Sequence, residues 1–70
     1  MKAEKIEVGM ILVIKPEVLR SSTHADGSPI ESQLARVTAI KQRPGYSVPW
    51  IMCGMDAFKP SDFSRLADYA

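Results

Sequence analysis

One cysteine, one histidine, one tryptophan and four glycines are all that this 70-residue chain holds of the residues that most often announce chemistry. Each shortage excludes something. Cys53 has no second cysteine to join, so a disulfide-stapled secreted miniprotein is ruled out. Cys53 and His24 make two donors where a structural zinc takes four, so no metal site is expected. Gly9, Gly27, Gly45 and Gly54 lie far apart and read as turn residues, which leaves no phosphate-cradling loop and no cofactor signature. No apolar run approaches the ~18 residues of a membrane span. Met10 to Ile14 is too short for a signal-peptide core, and the start Met1-Lys2-Ala3-Glu4-Lys5 is polar. A cytoplasmic protein without a membrane partner is the expectation. Charge of one sign is lacking too. Nine Lys plus Arg against eight Asp plus Glu leave +1, whereas a dedicated nucleic-acid coat is usually far more basic.

What is present describes an ordered small domain. Hydrophobic residues make up 46% and charged residues 24%, too apolar for a disordered chain. The length allows one domain, residues 1–70, with a flexible lead at 1–5 and a long polar loop at 21–29. A chain this short buries little surface, so self-association into a homo-oligomer, most simply a two-fold homodimer, would add to a thin core. The loop holds Ser21, Ser22, Thr23, His24, Asp26, Gly27 and Ser28, and Asp26-Gly27 is a turn signal within it. Loops of that length on small rigid domains often carry function.

The order of apolar residues points to strands. Ile6 and Val8 alternate with polar neighbours, and Met10 to Ile14 is then wholly apolar and mostly branched, which suits a strand over 7–15 with a bend at Gly9. The middle of the chain reads two ways. Ser28-Pro29-Ile30-Glu31 has the form of a helix start, and Ile30, Leu34, Val37 and Ile40 follow helical spacing up to Pro44-Gly45. Alternatively, Ala35, Val37 and Ala39 line one face of a strand over 33–42, an alternation that Leu34 and Ile40 break. Further strands are predicted over 46–54 and 64–68, with a fifth short segment at 17–21. Gly54 to Asp56 reads as a turn, and Pro60-Ser61-Asp62 as a short helical turn capped by Ser61 or Asp62.

Val8-Gly9-Met10-Ile11-Leu12-Val13 resembles the opening strand of small SH3-like barrels. Ala35-Arg36-Val37-Thr38-Ala39-Ile40 is similar to their second strand, and Phe58 to Leu66 to their proline-containing turn and closing strand. More distantly the chain resembles the plasmid-borne dihydrofolate reductases, small barrels that act as tetramers. Their Val-Gln-Ile-Tyr active-site run has no counterpart here, so that activity is not carried over. The resemblance implies a mainly β fold: a partly open SH3-like barrel of about five short strands. The alternative is α+β, with a helix at about 29–42 on a small sheet.

For function, the densest cluster is Arg36, Lys41, Arg43, Tyr46 and Trp50, three cations and two aromatics around the Pro44-Gly45 turn. Trp, Tyr and Arg are the residue types that dominate protein–protein contacts. The same set could stack bases and neutralise phosphates. The plainer reading puts Trp50 in the core and leaves the cations to solvate a hairpin. Met10, Met52 and Met55 read as core. One catalytic arrangement is conceivable, a His24–Cys53 dyad oriented by Asp26 or Asp56. A polar loop and an apolar strand instead suit a solvated histidine and a packing cysteine. No catalytic residue is therefore assigned. A ligand pocket of about 300 Å³ would also hollow out much of so small a core. The expected function is a non-enzymatic accessory module that docks onto a protein partner, of the size found on phages, plasmids and gene cassettes. The rivals are a nucleic-acid-binding barrel using the hairpin face, and a subunit of an oligomeric enzyme with a shared pore.

Overall fold

The chain folds into a mainly β domain, described over residues 1–67 by a computed structural model. Its elements run β1 (Ile11–Ile14), α1 (Pro16–Ser21), β2 (Leu34–Arg36), β3 (Ala39–Lys41), β4 (Trp50–Cys53), β5 (Asp56–Phe58) and β6 (Phe63–Leu66). Two three-stranded antiparallel sheets form, in the orders β2-β1-β6 and β3-β4-β5. They do not close into a complete barrel.

The sheets share a core because β2 and β3 are two halves of one bent run. At the bend, Val37 exchanges backbone hydrogen bonds with the first sheet: its N–H reaches the Met10 carbonyl and its carbonyl accepts from Gly9, each at 2.8 Å. One residue later, the Thr38 N–H donates to the Met52 carbonyl of the second sheet, also at 2.8 Å. The bend shifts the alternation by one residue. Ala35 of β2 and Val37 at the bend face the core, and Ile40, opposite Ile51, faces it from β3. Leu34 therefore points out, opposite Val13. This is why Leu34 and Ile40 break a single strand pattern, and why the helix at 29–42 does not form.

Leu12 and Ile14 from β1, Val37, Ile51, Phe58, Phe63, Ile6 and Ile30 make the buried core. Phe58 and Phe63 meet at 5.4 Å between centroids with a 57° tilt, within the range where aromatic pairs add attraction to area burial.

Several boundaries differ from the sequence pattern. The first strand begins at Ile11 and not at residue 7, because Gly9 at φ +97° closes a turn in which the Met10 N–H donates to the Glu7 carbonyl. The 17–21 segment is helix α1, not a strand. Pro16 sits at its first turn, where a missing N–H costs nothing, and the Ser21 hydroxyl donates back to the Glu17 carbonyl at 2.8 Å. The expected strand over 46–54 shrinks to Trp50–Cys53, because residues 42–49 form the hairpin loop. The turn at Gly54 leads into β5, a strand the pattern did not disclose; with the run over 33–42 split into β2 and β3, the described residues form six strands. Pro60–Asp62 is one 3-10 turn, capped by Asp62 through the Lys59 N–H at 2.9 Å. The closing strand is 63–66, and the tail residues Asp68 and Tyr69 lie outside the described residues. The lead forms a 3-10 turn at Ala3–Lys5, and the Met1 amine donates to the Phe63 carbonyl at 2.8 Å.

Candidate functional site

The basic and aromatic residues divide between two places. Lys41, Arg43, Tyr46 and Trp50 stand together on the β3–β4 hairpin, with Lys41 directly opposite Trp50 in the ladder. Arg36 stands apart from them, on β2 of the other sheet.

The hairpin loop builds its cluster locally. Arg43-Pro44-Gly45-Tyr46 is a turn closed by the Tyr46 N–H on the Arg43 carbonyl at 3.1 Å, with Gly45 at φ +82°. Proline second and a positive-φ glycine third are what a type II turn requires. The turn sets Arg43 beside Tyr46, and the guanidinium lies over the Tyr46 and Trp50 rings, 4.2 Å from each centroid. Its Nε donates to the Val48 carbonyl at 3.2 Å. Trp50 is thus a half-buried platform under Arg43 and not a member of the core, while Tyr46 is 64% exposed. Of the methionines, Met10 packs on the core as expected, but Met55 is 74% exposed at the β4–β5 turn.

A second site lies between the edge strands β2 and β5, where a cleft of about 300 Å³ opens. The core is not hollowed out to make it, because the cleft occupies the open seam of the two sheets. Ile14, Ile30, Leu34, Ala35 and Phe58 supply its apolar lining. His24 reaches it from the long polar loop, whose ends are tied by a Thr23–Pro29 bridge and whose tip turns at Asp26-Gly27. Asp26 accepts from both the N–H and the hydroxyl of Ser28, and these bonds hold its carboxyl below the usual range.

His24 and Asp56 form a pair. Nδ1 lies 2.6 Å from one Asp56 oxygen, and the Ala25 N–H donates to the other at 2.9 Å. The neutral ring then carries its proton on Nδ1, which leaves Nε2 as its unused nitrogen. This is the carboxylate–histidine half of the conceivable dyad. Cys53 lines the same cleft, half-buried, but no hydrogen bond joins it to His24. Burial, helped by the Asp56 charge, pushes its thiol up to about 11. It is a neutral thiol at physiological pH, the opposite of an activated nucleophile. Among the described residues no group of three or more His, Cys, Asp or Glu side chains is placed to hold a metal ion. No helix among them is long and apolar enough to cross a membrane.

The sequence offered no sign that residues 36 and 56 would meet at one cleft. For His24 the hints were the loop's length and its pairing with an Asp56 carboxylate in the dyad weighed above, of which the structure forms the His24–Asp56 contact alone. No protein-family model, curated protein or solved structure matches the chain.

Proposed function

We propose that the protein is a non-enzymatic cytoplasmic accessory module that docks onto a protein partner through its β3–β4 hairpin. The observation that carries this reading is the Arg43 guanidinium over both the Tyr46 and Trp50 rings. The stack holds three residues of the usual hot-spot types in one orientation before any partner arrives, which lowers the ordering cost of association. Arg43 covers one face of each ring and so leaves less surface for bases to stack on. With a net charge of +1, this favours a protein over a nucleic acid as partner. The raised Cys53 thiol supports the non-enzymatic part. Self-association through the outer edge of β6, which among the described residues pairs with no strand, belongs to the same reading, since an open edge otherwise invites uncontrolled pairing. Sedimentation showing only monomer at high micromolar concentration rejects that part.

The test is capture of partners from the protein's own cell extract, with and without nuclease, at low and physiological salt. The expected partners survive nuclease and both salts and disappear with Trp50→Ala. Partners lost on nuclease treatment, with gel-shift activity abolished by Lys41→Ala plus Arg43→Ala and falling steeply with salt, overturn the proposal in favour of nucleic acid.

A further inference from the structure

The seam cleft carries an inference that does not depend on the hairpin. Most of its polar groups are already satisfied within the protein. The Thr38 hydroxyl donates to the Met52 carbonyl at 3.1 Å and accepts from the Gly54 N–H at 3.0 Å. Both Asp56 oxygens are taken, by His24 and by the Ala25 N–H. Ser32 bonds to the Leu34 backbone. Besides the neutral Cys53 thiol, two side chains of the cleft keep unused hydrogen-bonding atoms among the described residues. Arg36 has no carboxylate or hydrogen-bond acceptor among the described residues, and His24 has its Nε2 left over. Arg36 is a permanent cation with a planar fork of donors, and the His24 ring is held at the same cleft by its Asp56 contact, with Nε2 unused.

Between these groups and the core lies the apolar lining of Ile14, Ile30, Leu34, Ala35 and Phe58, in a volume at the lower end of small-molecule sites. We propose that the cleft binds a small monocarboxylic acid whose body is one aromatic ring or a short branched chain. The body fills the seam, and the carboxylate meets the Arg36 fork with His24 beside it. A cationic ligand of the same shape is rejected, because it would face Arg36 while Asp56 is already engaged. A dianion has only one permanent cation to meet.

The probe is phenylacetate, followed by amide chemical shifts in the intact protein, with 2-phenylethylamine as the charge-reversed control. Phenylacetate is expected to shift Ile30, Leu34 and Phe58 saturably, with Kd of about 1 mM or tighter, while Tyr46 and Trp50 on the hairpin stay still. Arg36→Gln is expected to weaken binding at least about tenfold with an otherwise unchanged spectrum. The proposal is overturned by no saturable shift up to about 10 mM, by equal binding of the amine, or by unchanged affinity in a folded Arg36→Gln. Should that variant fail to fold, the contrast between acid and amine on the unaltered protein decides alone.

Discussion

Arg43 and Arg36 are both exposed or half-exposed cations on short β elements, yet their neighbours treat them differently. Arg43 is enclosed by its own hairpin: two rings under the guanidinium and a carbonyl on Nε. Arg36 stands at the rim of a cleft with no acceptor among the described residues, while most polar groups around it are paired with one another. A cation tied down by its neighbours presents a shape. A cation left over beside an apolar seam presents an unmet charge. The first suits a macromolecular surface and the second a small anion, so two residues of one type carry two separate readings.

The largest break in that comparison comes from the core beneath both regions. Phe63 is fully buried and packs at a tilt against Phe58, which also lines the cleft. Phe63→Ala should cost about 3–5 kcal/mol in urea unfolding, a large part of the stability of any small domain. Cleft and hairpin signals should then melt together. A variant that loses the cleft shifts but keeps the Trp50 environment would show that the two sheets fold as separate units.

A second test bears on the cleft alone. The Cys53 thiol is pushed up to about 11 by burial, from an ordinary 9.0. At pH 8 that difference alone lowers the thiolate fraction about a hundredfold, so iodoacetamide should modify the native protein at least that much more slowly than the urea-unfolded chain. The linkage has a definite sign. The folded state holds the thiol proton more tightly, so the stabilising contribution is complete below pH 9. It is lost as pH rises from about 9 towards 11. Cys53→Ala should remove that part of the alkaline destabilisation. Equal alkylation rates in folded and unfolded protein at pH 8 would mean that the cleft wall is wet and open.

How far the sequence foretold these regions depends on whether the signal was local. The hairpin was legible because its turn is written in four consecutive residues, Arg43 to Tyr46, and its strands lie close on either side, β3 ending at Lys41 and β4 beginning at Trp50. The two-residue spacing of Ala35 and Val37 likewise marked β2. The cleft was not legible. It is made where residues 24, 36 and 56 meet, and nothing in one sequence says that β2 and β5 become facing edges. The bend at Val37–Thr38 hid in the same way. A one-residue change of phase looks like a broken strand or a helix until the partners at Met10 and Met52 are known. The 17–21 segment shows the reverse failure, in which a mainly β context drew a strand over a sequence whose Pro16-Glu17 start favours a helix turn.

The smallest expected effect separates the two arginines most directly. Arg43 gains from two aromatic faces, and a cation–π contact at a partly exposed site contributes about 0.5–1 kcal/mol. Arg43→Gln should therefore destabilise the fold by roughly that amount in thermal or urea unfolding. Most of the loss should vanish when Tyr46 and Trp50 are already changed to leucine, because the double-mutant comparison isolates the contact. Arg36 has no such contact among the described residues, so Arg36→Gln should leave stability within about 0.5 kcal/mol of the parent. Equal losses at the two positions would mean that Arg36 has a structural partner after all, and the unmet charge on which the cleft proposal rests would be gone. An unchanged Arg43→Gln would instead show that the ring stack is not held in solution, leaving the hairpin no better ordered for docking than any polar loop.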